Sequence, residues 1–114
     1  MAAQQNSAPT STGAKMHWLM EDAIEDGANL SLAKMTVDPG VTSDPHRHPN
    51  CTEAIHLLFG TVKQRAGDDW IVMRAGDTVL IREGITHQTC NTGSEIAILM
   101  IAYSTGSRVY EATP

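Results

Sequence analysis

From Leu30 onward, turn-forming residues cut the chain at short and regular intervals: Asp38-Pro39-Gly40, Pro49-Asn50, Gly60, Ala66-Gly67-Asp68, Ala75-Gly76-Asp77, Glu83-Gly84 and Thr92-Gly93. Glycine tolerates positive φ and proline presets φ, so each cluster favours a chain reversal. The segments between them, residues 30–37, 42–48, 54–59, 61–65, 70–73, 78–81, 87–91 and 95–103, are all of strand length. No gap has room for the crossover helix that parallel pairing needs. The expectation is therefore an all-β chain of antiparallel strands, in a sandwich or barrel.

Residues 16–27 mix Trp18, Leu19, Met20 and Ile24 with Glu21, Asp22, Glu25 and Asp26, a pattern that fits either a short helix or a strand with a loop. Before them the chain is rich in Ala, Gln, Ser, Thr, Asn and Gly and lacks the basic stretch and apolar run of a secretory signal. We expect a disordered tail over residues 1–15 and one domain over residues 16–114.

The size of the chain, 114 residues, suits a single domain, and 41% hydrophobic residues suffice for a core. The net charge of -5, with no run of Lys or Arg, excludes a surface that tracks nucleic-acid phosphates. No apolar stretch approaches the roughly 20 residues of a membrane span. Two cysteines, Cys51 and Cys90, are too few for a disulfide scaffold and fit a reducing, cytoplasmic setting.

The histidines carry the chemistry. His46 and His48 are two apart in an expected strand, where alternate side chains share a face. Glu53 and His87 stand at the openings of later strands, so a closed antiparallel barrel would bring all four inside. Three imidazoles and a carboxylate form a donor set for a divalent first-row metal with positions left for water or substrate.

Two motifs around these residues resemble the cupins and cover about half the chain. Gly40, five residues, His46-Arg47-His48, four residues, Glu53, six residues and Gly60 reproduce the first cupin motif. Gly76, five residues, Arg82-Glu83-Gly84, two residues, His87, three residues and Asn91 reproduce the second, with Arg82 where the family usually has proline. The resemblance implies an antiparallel jelly-roll barrel with a metal (Fe, Mn, Zn, Ni or Co) held by His46, His48, Glu53 and His87 near its mouth.

Further candidates follow from position. Arg82 is either a solvated surface arginine or a clamp for an anionic group at the rim. Asp44 shares strand parity with His46 and His48, which suits an inward carboxylate that orients a ligand or acts as a base. Gln64, in parity with Val62, would bury an amide that needs partners. His56 has outward parity, His17 lacks context, and Cys51 and Cys90 are read as inert thiols. Met35, Ile55, Leu57, Val79, Ile81 and Met100 are read as barrel core, with cavity lining as the alternative, and the pocket is expected to be small and aliphatic, since aromatic residues are only 4%.

The ligand set does not choose among cupin reactions. The favoured reading is an enzyme acting on a small oxygen-bearing metabolite that chelates the metal, by dioxygenase-type cleavage, with lyase or isomerase chemistry as relatives. The alternative is a non-catalytic cupin that binds or senses a small ligand. Exposed sheet edges favour a homodimer, with residues 16–24 or 104–110 as expected contacts.

Overall fold

The computed structural model describes the backbone of residues 6–11 and all of residues 13–114. The strands are β1 (Asn6–Ser11), β2 (Ala14–Met20), β3 (Ser31–Val37), β4 (His46–Arg47), β5 (Glu53–Phe59), β6 (Thr61–Ala66), β7 (Asp69–Arg74), β8 (Thr78–Ile81), β9 (His87–Asn91), β10 (Ala97–Tyr103) and β11 (Glu111–Ala112). They form one sheet in the order β1-β2-β3-β10-β5-β8 and a second in the order β11-β4-β9-β6-β7, and neighbours in both are antiparallel. Two antiparallel sheets packed face to face form the expected jelly roll. No helix among the described residues is long and apolar enough to cross a membrane.

Alternating side chains build the interior. Ala33, Met35 and Val37 of β3, Ile55 and Leu57 of β5, and Ala97, Leu99 and Ile101 of β10 are buried, while their sequence neighbours face outward or lie part-buried. The register grades the interior from apolar to polar. At one end Leu99 lies opposite both Leu57 and Met35, and Val62 opposite Met73. At the other end Tyr103 lies opposite Glu53, Gln64 opposite Thr89, and His46 opposite His87. Gly60, in the turn from β5 to β6, has φ +98°, and a Cβ there would press to 3.1 Å from Ala97 Cα, so this reversal excludes larger residues.

The structure departs from the sequence reading or completes it at four points. The strand expected over residues 42–48 contracts to His46–Arg47, with one isolated bridge from Thr42 to Cys90. Pro45 has no N–H to give to a ladder, so pairing breaks there. The ambiguous segment 16–27 resolves into the greater part of β2 followed by turns. The boundary at residue 15 falls inside β2, whose partner β1 lies within the expected tail; the tail's residues 1–5 and 12 are outside the described residues. Lastly, the chain past β10 returns across the barrel and adds β11 beside β4.

Candidate metal centre

Four side chains converge at the polar end. His46 lies in β4 and pairs across to His87 at the start of β9, His48 follows β4, and Glu53 opens β5. One donor atom from each lies within 4.8 Å of all the others. Each histidine is oriented by the backbone: His46 Nδ1–H donates to the Asp44 carbonyl (2.8 Å), His48 Nδ1–H to Val109 (2.9 Å) and His87 Nδ1–H to Ile85 (2.9 Å). A carbonyl only accepts, so each bond fixes the proton on Nδ1 and leaves the Nε2 lone pair free. These lone pairs point into the space beside Glu53.

The buried atoms His48 Nε2, Glu53 Oε1 and His87 Nε2 have no hydrogen-bond partner among the described residues. His87 Nε2 sits against Glu53 Oε1, and His48 Nε2 is 3.5 Å from the same oxygen. Buried polar atoms without partners are rare and costly, and a divalent cation would satisfy all three together. The donor set therefore fits a metal ion. Burial and then repulsion from His87 lower the pKa of His46 to about 4, and burial lowers that of His48. Both rings are thus neutral ligands near neutral pH. Burial works against the Glu53 carboxylate, but the adjacent His87 ring outweighs it and holds the pKa below the ordinary glutamate value. For His87 burial is likewise outweighed, here by Glu53, and its pKa rises.

The C-terminal segment, residues 104–113, straps this end of the barrel. Asp22 N–H donates to the Gly106 carbonyl, Ser107 Oγ–H to Asp22 Oδ2, Asn50 Nδ2–H to the Ser107 carbonyl, and Val109 N–H to Asn50 Oδ1. Arg47 and Glu111 close the far end with an ion pair of 2.8 Å. The strap sets Tyr110 flat on His46, with ring centroids 4.5 Å apart. It also brings Arg108 against Trp18, Tyr103 and Tyr110, with its guanidinium carbon 4.6, 5.3 and 5.5 Å from the three ring centroids. Between strap and barrel lies a cavity of about 20 Å³, near the room of one or two waters. Its base is apolar (Met16, Met35, Ile55, Ile101), and its polar wall holds His46, Glu53, His87, Thr89 and Arg108.

Comparison with known proteins accords with this geometry. Residues 33–103 match the Cupin_2 family, a cupin domain. The chain belongs to the cupin family. It is 27% identical over 94 residues to the xanthan biosynthesis protein XanB of Xanthomonas campestris pv. campestris (strain B100), which covers 82% of this chain and 20% of that protein. Over 83 residues it is 30% identical to oxalate oxidase GF-2.8 of Triticum aestivum, covering 66% of this chain and 37% of that one. The cupin thus spans well under half the length of these curated relatives. Among solved structures, an oxalate oxidase superposes with a TM-score of 0.83 at 24% identity, over 96% of this chain and 60% of that one. Oxalate decarboxylase OxdC of Bacillus subtilis, as its S161A mutant, gives 0.83 at 18% identity, over 95% and 30%.

The cupin barrel brings some of the other expected residues to the site and leaves others out. Gln64 is fully buried, as parity required; it accepts from Thr89 Oγ1–H at 2.6 Å and donates to the Arg65 carbonyl, so it reaches the cavity only through Thr89. Asp44 is exposed and lines the cavity at its rim, in the segment where Pro45 interrupts the expected strand, and its carbonyl orients His46. Arg82 is exposed in the turn from β8 to β9 and does not line the cavity. His56 faces outward and bonds Thr78 at 2.7 Å. Cys51 and Cys90 are free thiols outside the ligand cluster.

Of the six residues read as core with pocket lining as the alternative, Met35 and Ile55 belong to the core and also line the cavity. Leu57 and Ile81 are buried in the core, Val79 packs against it, and Met100 sits on the opposite face of β10 from Ile101. The pocket is not purely aliphatic. Three of the five aromatic residues gather here, with Tyr103 and Tyr110 in its wall and Trp18 behind Arg108. Sequence reading passed over Arg108, Val109 and Tyr110, which lie past the second motif in a segment with no strand periodicity. Asn91 closed the second motif without an assigned task. It is a scaffold residue, donating to the Val37 and Glu95 carbonyls and accepting from Gly93 N–H.

Proposed function

We propose that this cupin is a metal-dependent enzyme acting on a small oxygen-bearing metabolite, with one divalent transition metal (Fe, Mn, Zn, Ni or Co) held by His46, His48, Glu53 and His87. The observation that carries the reading is the convergence of three backbone-oriented Nε2 atoms on one buried carboxylate. A divalent ion in that set supplies Lewis-acid polarisation of a bound oxygen and, if it is iron, redox chemistry with dioxygen.

The chain's own residues bind, orient and exclude water. Met16, Met35, Ile55 and Ile101 keep the base of the cavity apolar, which strengthens the electrostatic interactions above it. Burial first, and Glu53 next, raise the Tyr103 phenol well above its ordinary pKa, so it stays a neutral hydrogen-bonding group. Asp44 at the rim is the solvent-facing carboxylate able to take a proton from an arriving ligand. Gln64 fixes the Thr89 hydroxyl at the wall.

Dioxygenase-type cleavage is the favoured reaction. Similarity to oxalate oxidase supports an oxidoreductase and makes oxalate the first compound to try. The reading includes a cytoplasmic setting, which two free cysteines support. It also includes a homodimer. Residues 104–110 and Met16 are engaged within the chain, so the support for a dimer comes from the open edge strand β7 with exposed Trp70, Ile71 and Val72.

Metal analysis by plasma mass spectrometry on untagged protein, beside a His46→Ala/His48→Ala variant, tests the proposal together with oxygen uptake on oxalate and related small acids and diols. Near-stoichiometric metal, lost in the variant, with metal-dependent turnover is the expected result. Protein that refuses Mn, Fe, Co, Ni and Zn would overturn it. Metal without turnover of any candidate would leave a ligand-binding cupin.

A further inference from the structure

We propose that Arg108 recognises a carboxylate on the ligand of this cavity, so that the pocket selects a small anionic molecule over its neutral analogues. This deepens the metal-centre reading and rests on it for the ligand's second anchor.

Arg108 is, among the described residues, the one guanidinium in the cavity wall. Among the described residues it has no ion-pair partner, since the ion pairs join Arg47 to Glu111 and Glu53 to His48 and His87. Nor does any of its N–H groups donate a hydrogen bond to a described residue, whereas Arg65 donates to the Gly67 carbonyl and Gln88. Its contacts are with the rings of Trp18, Tyr103 and Tyr110. Ring contacts position a guanidinium but do not saturate its planar fork of donors, which matches the two oxygens of a carboxylate.

The charges agree with this assignment. The Glu53 carboxylate is turned toward the imidazoles, and Asp44 is exposed at the rim rather than paired with Arg108. With a divalent ion beside Glu53, ion and guanidinium leave the interior net positive, a field that draws an anion. The small cavity suits a small ligand that displaces water. Arg82, exposed and outside the wall, is in no position for the role.

The test is a ligand-observed NMR titration of zinc-loaded protein with glycolate and with its neutral isostere glycolamide. Arg108→Gln is expected to weaken glycolate on the order of tenfold to a hundredfold, the range for a charged hydrogen bond. Glycolamide should be unaffected, and Arg108→Lys should restore part of the loss. Unchanged glycolate affinity in Arg108→Gln would overturn the proposal, as would equal losses for both compounds, which would mean a disturbed strap. Arg82→Gln serves as the surface control and should match wild type. Zinc loading is measured first by competition with a chromogenic chelator. Protein that takes no zinc would sink the metal reading, and the same titration on the zinc-free protein would still decide for or against Arg108.

Discussion

The ring of Tyr110 lies stacked on that of His46, with centroids 4.5 Å apart and planes 15° from parallel. A residue from the C-terminal strap thus holds the outermost imidazole of the cluster, whose Nδ1 is already bound to Asp44. An aromatic pair of this kind is worth about 0.5–1.5 kcal/mol beyond its buried area. Tyr110→Ala is expected to weaken zinc affinity by roughly threefold to tenfold, and Tyr110→Phe to leave it near wild type. Chelator competition reads both; equal affinity in all three proteins would show that the stacking does not support the site.

Metal removal should destabilise the fold, because it returns three buried donor atoms to an unpartnered state. Metal present at a thousandfold above its dissociation constant adds about 4 kcal/mol. For a domain near this size that corresponds to a fall in Tm of more than about 10 °C on chelation. The His46→Ala/His48→Ala variant should show no such fall. A chelator response of the same size in that variant would place the stabilising ion elsewhere.

The strap is latched by Asp22, whose carboxylate fills the space where a Cβ on Gly106 would lie and accepts from Ser107 Oγ–H and Asn29 N–H. Gly106→Ala must push that carboxylate away and is expected to cost about 1–3 kcal/mol. It should also free Arg108 from its ring contacts, so that trypsin cuts after Arg108 faster than in wild type. Mass spectrometry of a timed digest reads the effect, and unchanged cleavage with unchanged Tm would refute the latch.

Asn91 ties β9 to β3 and to the turn before β10 through three hydrogen bonds, and its side chain is 1% exposed. Asn91→Ala is expected to destabilise the protein by roughly 3 kcal/mol, at about 1 kcal/mol per lost bond. Urea unfolding measures this. Zinc affinity per folded molecule should be unchanged, since the residue lies at the apolar end of β9, four positions from His87.

The sequence alone determined the architecture and picked out the four residues that gather into a cluster able to hold a metal. Glycine and proline clusters separated strands too close for helices, and the spacing around His46, His48, Glu53 and His87 matched a family pattern, because ligand geometry is set by local strand positions. Where a local break intervened, the same reasoning failed. Pro45 shortened the strand expected over residues 42–48 to His46–Arg47, leaving Asp44 exposed at the rim, and parity along a strand has no meaning across such a break.

What only the tertiary structure decided is the wall facing those donors. Trp18, Tyr103, Arg108 and Tyr110 come from both ends of the chain and meet through a return of the C-terminus across the barrel. That return is held by side-chain bonds of Asp22, Asn50 and Arg47. Such contacts leave no periodic trace, so Arg82, near His87 in sequence, stood out where Arg108, in the cavity wall, did not. Sequence spacing within the two motifs picks out the candidate metal-holding residues, which come from both sheets; the choice of which distant arginine faces them belongs to the closed fold.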